Sequence, residues 1–472
     1  MKQHAIEIWK AGVESVASGR LVRQHVCITP GELVINGCVR GGSRPIPLTI
    51  SHQDYRDILV LGAGKASGWM AAALRDLFDC EFLMHKTFRG RINVPDDQVI
   101  TVPSLEVVGC RPVAVNLPTQ RVLDSTSVMI DMARQCHRDD LCFYLISGGG
   151  SALLERHLAP VSLSDFQFVT TLLSQRGADI EQINSVRRCL SAVKGGKFAR
   201  LANCRRLITL VVSDVIGDPL DVIASGPTFS SSNGRDAESA KSHAKAVLNQ
   251  FIESSQEIPK SIWTVLNDAS VSNGGSRDGD VANSQVDHVV LGNNQLSVAA
   301  ARVKAVELGY EVITETIDRE GEVRQSAKRF ADRCFELLNR QSSTGRKVCL
   351  ISGGEPTVVL GPSPGSGGRN QQLVLALMLE LLRRNVDTNC EFGFLSGGTD
   401  GEDGNVPVAG GVFDDAVLRG LKNDPNDQAW DAMLSEHLAH DNAYPCLGSL
   451  GCLLTTAPTH TNVCDLRVLT VG

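Results

Sequence analysis

Glycine clusters at the ends of apolar runs are the features of this sequence best suited to binding an anion. Gly62, Gly64 and Lys65 lie in LGAGKAS, where an apolar run gives way to a helical pattern. Glycine lets a phosphate approach backbone N–H groups at the positive end of a helix, and the lysine adds a full charge. The Walker pattern G-x-x-x-x-G-K-[ST] is absent, so this is not a standard P-loop. An ordinary tight turn from strand to helix is the alternative.

A second glycine cluster follows the apolar run CFYLI. Gly148, Gly149 and Gly150 are consecutive, and three glycines in a row lose more backbone entropy than a simple turn requires. Close approach of an anionic ligand explains them better. We therefore expect these glycines and Ser151 to offer backbone N–H groups and a hydroxyl to a phosphate.

Acidic residues follow several of the apolar runs. Gly353 and Gly354 belong to a Ser-Gly-Gly motif that ends in an acid, and a second such motif precedes Asp400. Asp214 comes just beyond another apolar run, after Ser213. A carboxylate at a strand end beside a phosphate can bind Mg²⁺ or activate a hydroxyl, although it can also cap the next helix. We assign the two glycines to nucleotide binding and the two aspartates to the metal.

Three cations stand out by their position. Arg369 begins a long apolar helical pattern directly after a GSGG motif. A cation at a helix start is unfavourable against the helix dipole, so we expect Arg369 to face a negative group, which the flexible glycine loop would let it reach. Arg187 and Lys194 are candidate substrate contacts, although part of their segment could be an ordinary solvated face.

The composition of the chain limits the classes of ligand that these residues can bind. The 472 residues carry 46 Lys plus Arg against 53 Asp plus Glu, and a net charge of −7 gives no field for nonspecific binding of nucleic acid or an anionic membrane. No apolar run approaches the roughly 18 residues of a membrane span, and the first helical pattern mixes Glu with apolar residues. We expect a cytoplasmic protein with a small-molecule substrate and no membrane or nucleic-acid partner. A homo-oligomer is possible.

The cysteines and histidines show no metal-binding pattern along the chain. Fourteen cysteines are scattered without a C-x-x-C pair, which favours buried, reduced thiols. His437 and His440 form an H-x-x-H, but no further ligand has zinc-finger spacing, so a packing or surface role is expected. No Ser/His/Asp series is evident either. Glycine loops, strand-end acids and cations together suit phosphoryl transfer, in which the protein positions groups and neutralises charge.

The elements that must position these residues follow an α/β pattern. Four short apolar runs, at 57–67, 142–154, 348–360 and 392–404, each stop at glycine, as buried parallel strands do. Helical patterns fill the gaps, at Gly68–Phe78, Gln120–Cys136, Leu163–Gln175, Leu296–Leu308, Val323–Asn339 and Gln371–Arg384. Ligands bind beyond the carboxyl ends of such strands, where the glycines lie. Polar stretches at 229–239 and 270–284 are expected to be flexible loops.

Nine sequence blocks, in order, resemble one known family. They are LGAGKAS, ISGGGSALL, INSVRRCLSAVKGGKFA, VVSDVIGDPLDVIASGPT, LGNNQLSVAAA, LISGGEPTVVLG, GSGGRNQQLVLAL, LSGGTDGEDG and TAPTHTNVCDLRVL. Together they are similar to glycerate 2-kinase of the MOFRL-containing type, the class II glycerate kinases, over nearly the whole chain. The resemblance implies two α/β domains, an N-terminal Rossmann-like one and a C-terminal MOFRL one, with the active site in the cleft between them.

The resemblance also implies an activity and site residues. It implies phosphorylation of D-glycerate that depends on ATP and Mg²⁺, most simply at the 2-hydroxyl, with 3-phosphoglycerate as the alternative product. Lys65 and Arg369 match the residues regarded as catalytic in the family. We place the Rossmann-like domain at 1–240, connecting helices and a flexible insertion at 241–344, and the MOFRL domain at 345–472.

The chain departs from the family pattern in two places, and two other functions remain open. Ala457 and His460 replace glycines of a GPTGTNV motif, and Pro407 stands in a run where an acidic residue is common. Gly62 and Gly64 could instead seat a nicotinamide cofactor of a hydroxypyruvate or tartronate oxidoreductase. A non-catalytic metabolite sensor is the other alternative, against which the retained cations argue.

Overall fold

The chain folds into two compact units. The structure, a computed structural model, describes residues 1–40, 47–78, 85–112, 115, 117–229, 237–268, 284–316, 321–358, 361, 363–387, 391–423 and 427–472. One unit is Ser18–Leu291, and the other combines Met1–Ala17 with Gly292–Gly472.

The described elements include both helices and strands throughout the chain. The helices are α1 (Lys2–Ser15), α2 (Ser18–His25), α3 (Ser67–Leu77), α4 (Gln120–Gln135), α5 (Gly150–Leu153), α6 (Leu163–Gln175), α7 (Ile180–Leu190), α8 (Lys197–Leu201), α9 (Ala237–Phe251), α10 (Lys260–Asn267), α11 (Asn294–Glu307), α12 (Val323–Thr344), α13 (Arg369–Arg383), α14 (Asp415–Lys422), α15 (Asp427–Ala439) and α16 (Ala443–Ser449). The strands are β1 (Val26–Ile28), β2 (Glu32–Ile35), β3 (Cys38–Arg40), β4 (Leu48–Ser51), β5 (Ile58–Ala63), β6 (Phe88–Pro95), β7 (Leu105–Arg111), β8 (Leu141–Ile146), β9 (Arg206–Val212), β10 (Gln285–Gly292), β11 (Glu311–Thr316), β12 (Val348–Gly354), β13 (Phe392–Gly398), β14 (Gly410–Asp414), β15 (Leu453–Leu454) and β16 (Asp465–Val471). Across the described part of the chain, no helix is both long and apolar enough to cross a membrane.

The predicted helices are confirmed to within a few residues, because their ends carry local signals. Thr119 accepts a hydrogen bond from the backbone of α4, and Asn293 does the same for α11. Such caps satisfy N–H groups that have no partner inside the helix. Ser162 and Asp165 form a reciprocal capping box at the start of α6.

The unit at 18–291 contains a doubly wound parallel sheet. Its strand order is β3-β10-β9-β8-β5-β6-β7, and β9, β8, β5, β6 and β7 run parallel. Every residue of β5 and β8 is buried, as the unbroken apolar runs predict. The chain winds from β5 toward β7 in one direction and from β8 toward β9 in the other. The strand order therefore reverses between β5 and β8, where α/β sheets bind ligands.

The other unit contains a mixed six-stranded sheet of order β11-β12-β16-β13-β14-β15. The runs at 348–360 and 392–404 form strands β12 and β13, which run in the same direction, as predicted. They are not neighbours, however, because β16 lies between them and is antiparallel to both. Nothing in either run shows that a strand from the chain terminus will separate them.

The unit boundaries differ from the predicted domains at 1–240, 241–344 and 345–472. Helix α1 packs with residues near the C-terminus, since Ala5, Ile8 and Trp9 share a core with Leu395 and Leu466. The 241–344 segment is not a connector, because its first half belongs to one unit and its second half to the other. The predicted loops at 229–239 and 270–284 lie largely outside the described residues.

Candidate active site

The GAGK turn and the SGGGS turn lie side by side at the reversal point of the parallel sheet. Gly64 has a φ of +148°, and a Cβ there would lie 2.2 Å from Oγ of Ser147. The backbone N–H of Lys65 donates to the carbonyl of Gly148 over 2.9 Å, and that of Ala66 donates to the Ser147 hydroxyl over 2.9 Å. The structure thus joins two of the predicted anion loops into one cluster and explains why residue 64 must be glycine.

Two cationic side chains pass beside the SGGGS turn. Gly149 has a φ of +76°, and a Cβ on it would lie 3.5 Å from Cγ of Lys65 and 3.3 Å from Nη2 of Arg111. Arg111 ends β7 and is 2 % exposed. Sequence reasoning missed this arginine, although a charged residue closing a mostly apolar strand was a usable signal. The first unit therefore presents a lysine and an arginine at one glycine turn.

Packing explains two other predicted nucleotide-binding glycines. Gly62 lies inside β5, where a Cβ would approach the carbonyl oxygen of Leu145 on the neighbouring strand to 2.6 Å. Gly353 lies inside β12, where a Cβ would collide with Oδ1 of Asn294. Close contact between elements requires glycine at both positions, whether or not a ligand binds nearby.

The predicted substrate contacts Lys194 and Arg187 are buried beneath the SGGGS turn. Lys194 is 0 % exposed, and its Nζ donates to the carbonyls of Ser151 and Leu154 over 2.7 and 3.1 Å. Its ammonium also lies 3.6 Å from the buried carboxylate of Glu155. Arg187 donates to the same Ser151 carbonyl over 3.2 Å. These contacts indicate that the side chains of Lys194 and Arg187 support the glycine turn from beneath rather than contact a substrate directly.

Burial of Lys194 leads to a prediction about stability and pH. Desolvation lowers its pKa from 10.5 to about 7, against the opposing charge of Glu155. Between the pKa of Lys194 in the folded chain and its pKa in the unfolded chain, the unfolded chain binds more protons at this lysine than the folded chain does. The contribution of Lys194 to the free energy of unfolding therefore increases as pH rises. The slope is at most about 1.4 kcal/mol per pH unit. In urea unfolding, the free energy of unfolding of the wild type should increase relative to that of Lys194→Met between about pH 7 and about pH 9.

The control for this experiment is Lys260→Met, at an exposed lysine that starts α10. It shows what removal of a lysine from the surface does to the same unfolding curves. A pH-independent difference in stability between the wild type and Lys194→Met would contradict the lowered pKa of Lys194.

In the second unit, carboxylates hold the guanidinium of Arg369. Its Nε and Nη2 donate to the two carboxylate oxygens of Asp465 over 2.6 and 2.9 Å, and its Nη1 lies 2.8 Å from Oε1 of Glu355. The expectation that this helix-start cation faces a negative group is confirmed, and the group includes protein carboxylates. Asp465 is fully buried and Glu355 is half-exposed. Desolvation is the largest single effect on the pKa of Arg369 and lowers it, but the carboxylates of Asp465, Glu355 and Asp403 together raise this pKa well above its usual value.

Asp403 supplies the negative charge that the start of α13 requires. Its carboxylate accepts hydrogen bonds from the backbone N–H groups of Asn370 and Gln371, over 3.0 and 2.8 Å. Burial raises its pKa to about 6, while these hydrogen bonds oppose the shift. Asp400, the acid predicted from the same loop, accepts from the backbone N–H of Glu402 instead.

The GSGG loop before Arg369 is packed, contrary to its predicted flexibility. A Cβ on Gly368 would lie 2.4 Å from Oδ1 of Asp403, and one on Gly365 would lie 2.6 Å from Cβ of Asn442. Ser366 donates its backbone N–H to the Asn442 side chain over 2.9 Å. These glycines permit close contacts, so the loop holds Arg369 in place rather than letting it swing.

The two Ser-Gly-Gly motifs flank Asp465 in matching register. Gly354 on β12 and Gly398 on β13 are both paired with Asp465 on β16, and two residues further along both serines pair with Arg467. Arg467 is 0 % exposed and lies 5.8 Å from the ring centre of Phe330. Sequence reasoning missed Asp465 and Arg467, although two charges alternating within an apolar strand were a visible signal.

The predicted metal ligands occupy separate strand ends. Asp214 follows β9 and is half-buried, at the same edge of the parallel sheet as Lys65 and the SGGGS turn. Asp400 follows β13 in the other unit. His437 and His440 contact the backbone carbonyls of Asn442 and Glu436, in agreement with the expected packing role.

The departures from the family pattern have identifiable structural effects. His460 stands where the family has glycine, and its φ is +55°, a region that L residues enter at a cost of about 1–2 kcal/mol. Asn405, two residues before Pro407, accepts a hydrogen bond from the backbone N–H of Gly367 over 3.0 Å. One departure therefore strains the backbone, and the run that contains the other helps to hold the loop before Arg369.

Comparisons with known proteins agree along the full length of the chain. A family model described as a domain of unknown function (DUF4147) matches residues 4–267, and the MOFRL family model matches residues 348–465. The chain is 31 % identical to a Homo sapiens glycerate kinase, covering 99 % of this chain and 93 % of the relative. It is 35 % identical to a D-glycerate 2-kinase of Thermotoga maritima, covering 99 % and 98 % of the two chains. The crystal structure of a Thermotoga maritima glycerate kinase matches with a TM-score of 0.75 and 28 % identity, covering 100 % of this chain and 99 % of that one.

Proposed function

Because the chain belongs to the glycerate kinase family with a MOFRL domain, and is an enzyme of that family, we propose that it transfers the γ-phosphoryl group of ATP to D-glycerate. We further propose the 2-hydroxyl as acceptor and 2-phosphoglycerate as product. The observation that carries the proposal is the pair of cations, Lys65 and Arg111, beside a glycine turn at the reversal point of the parallel sheet.

Lys65 is proposed to neutralise charge on the transferred phosphoryl group. Phosphoryl transfer depends on positioning and on stabilising charge at the equatorial oxygens, and a fixed lysine supplies both. The hydrogen bond from its backbone N–H to Gly148 fixes where its side chain starts. Arg111, held nearby in a buried position, would add a second charge for the phosphates. Gly148, Gly149, Gly150 and Ser151 would supply the surrounding backbone and hydroxyl donors.

Arg369 is proposed to bind an anionic group of the substrates while Asp465 holds it. Three of its five N–H groups contact carboxylates, which leaves two for a ligand. Glu355 is half-exposed, so a substrate carboxylate or phosphate can take its place at Nη1. The buried Asp465 cannot be replaced in this way and keeps the guanidinium plane fixed.

The strand-end carboxylates fit a magnesium ion of the kind that kinases use. Mg²⁺ is usually held by one or two carboxylates together with substrate phosphates and waters, so an all-protein cage is not required. Asp214, at the same edge of the parallel sheet as the Lys65 cluster, is the proposed ligand in one unit, and Asp400 is the corresponding candidate in the other unit. When bound, the ion would neutralise the negative charge that develops on the phosphates, with these carboxylates holding it in place.

Asp465→Asn should lower kcat by at least about tenfold, because asparagine keeps the shape but removes the charge-assisted fork that fixes Arg369. Loss of one partner of a buried ion pair should also lower the free energy of unfolding by on the order of 3 kcal/mol. The matched control is Asp431→Asn, since Asp431 forms the same fork with Arg383 on an exposed face, with distances of 2.6 and 3.0 Å. Its effect should stay below about 1 kcal/mol. Equal effects for both variants would show that Asp465 has no special role.

A coupled assay of ATP consumption with D-glycerate, followed by phosphorus NMR of the product, tests the whole proposal. A signal for 2-phosphoglycerate supports it, and 3-phosphoglycerate would correct the assigned hydroxyl. NADH binding without ATP consumption would favour the oxidoreductase alternative. Glycerate binding without turnover would favour the sensor.

A further inference from the structure

Three cysteines that are far apart in the sequence meet at the end of the parallel sheet opposite the glycine turns. Cys136 follows α4, Cys142 is the second residue of β8, and Cys204 lies just before β9. Their Sγ atoms all lie within 4.8 Å of one another, and those of Cys136 and Cys142 are 3.9 Å apart. All three side chains are buried.

The spacing of the sulfurs matches the size of a thiolate metal site. An ion equidistant from three sulfurs at these separations would lie about 2.3 to 2.8 Å from each, and Zn–S bonds measure about 2.3 Å. The cluster therefore needs little or no movement to close around a d¹⁰ ion. A disulfide, with an S–S bond of about 2.05 Å, would need a much larger approach and would leave the third sulfur unused.

Hydrogen bonds fix the backbone that carries these sulfurs. The side-chain amide of Asn203 donates to the carbonyl of Cys136 over 3.0 Å, which ties the turn after α4 to the segment before β9. The hydroxyl of Ser284 donates to the carbonyl of Cys204 over 2.5 Å. Cys142 is held by its place in β8. A site held in position before the ion arrives loses less entropy on binding.

The surroundings of the cluster include hydrogen-bonded thiols and an open cavity. The thiol of Cys142 donates to Sγ of Cys136 over 3.9 Å, and the thiol of Cys136 donates to the carbonyl of Ala133 over 3.1 Å. Arg89 and Cys136 also line an open cavity of about 490 Å³, together with His137 and Asn203. The cluster therefore lies next to a cavity that opens to solvent.

We propose that Cys136, Cys142 and Cys204 form a three-thiolate site for a soft d¹⁰ metal ion such as Zn²⁺. Binding forms three metal–sulfur bonds, breaks the three S–H bonds and releases their protons to solvent. The ion would link α4, β8 and β9 at the sheet edge away from Lys65. It would therefore stabilise this unit without taking part in phosphoryl transfer.

The test uses Cd²⁺ and Zn²⁺ as probes on the purified, reduced full chain. Titration with Cd²⁺ should produce an ultraviolet thiolate-to-metal charge-transfer band that saturates at one ion per chain, and Zn²⁺ should remove it by competition. Cys142→Ala should lose the band. Cys349→Ala is the matched control and should keep the band, since Cys349 is equally buried, in β12, but does not belong to the cluster.

A second measurement keeps the proposal testable if Cys142→Ala does not fold. X-ray absorption of the Cd²⁺-loaded wild type should count three sulfur ligands, and Zn²⁺ should raise the melting temperature of the wild type. Two or fewer sulfur ligands, a band that persists in Cys142→Ala, or no band at all would overturn the proposal. So would a Cys136–Cys142 disulfide that forms readily under mild oxidation while no metal binds.

Discussion

Lys65→Ala is expected to lower kcat by at least about a hundredfold while the protein remains folded. Removing one preorganised charge from the site of developing negative charge typically costs on the order of 3–4 kcal/mol of transition-state stabilisation. The side chain of Lys65 is half-buried and lies beside Gly149, so its loss removes charge from the turn without opening the sheet core. Single-turnover and steady-state kinetics at saturating ATP and D-glycerate would measure the effect.

The control for this prediction is Lys260→Ala, at an exposed lysine of the same unit. It should leave kcat unchanged, and circular dichroism with thermal melting should show that both variants keep the fold. Near-normal turnover in a folded Lys65→Ala protein would remove Lys65 from the mechanism. Arg111 would then be the cation to examine at the same turn.

Arg369→Lys is expected to lose at least about 90 % of kcat/KM, although the positive charge is kept. A planar guanidinium makes two parallel hydrogen bonds to Asp465 and still reaches Glu355, whereas an ammonium on a flexible stem cannot reproduce this geometry. Charge-assisted hydrogen bonds of this kind contribute about 1.5–3 kcal/mol, which corresponds to roughly ten- to a hundredfold in rate. The ligand that replaces Glu355 would meet a mobile charge instead of a fixed fork.

The kinetic constants then locate the ligand of Arg369. A rise confined to the KM for D-glycerate would place the guanidinium on the substrate carboxylate, and a fall in kcat with both substrates would place it on the transferred phosphoryl group. Arg383→Lys is the matched control, because Arg383 makes an equivalent fork to Asp431 on an exposed face. An Arg369→Lys enzyme with the kinetics of Arg383→Lys would show that Arg369 is an ordinary surface cation.

Local patterns in the sequence were enough to locate the elements and the two principal cations. Apolar periodicity and helix caps act within a few residues, so the helix at Leu163–Gln175 could be placed with both of its ends correct. The same local reasoning identified Lys65, because a lysine directly after a glycine turn is conspicuous. It identified Arg369 because a cation at a helix start requires a negative partner.

The identity of that partner depended on the order of the strands. Asp465 meets Arg369 only because β16 inserts between β12 and β13, although it lies 96 residues further along the chain. Lys194 illustrates the same limit, since its charge suggested substrate contact while packing placed it under the glycine turn.

By itself, the sequence determined the α/β class, the strand ends that carry glycine, and Lys65 and Arg369 as candidate catalytic residues. Only the tertiary structure decided that Arg111 joins Lys65, that Asp465 holds Arg369, that α1 belongs with the C-terminal residues, and that three scattered cysteines converge. The physical reason is the range of the forces involved. Backbone geometry and periodicity are set by near neighbours, whereas side-chain partners are set by strand order and core packing, which depend on the whole chain.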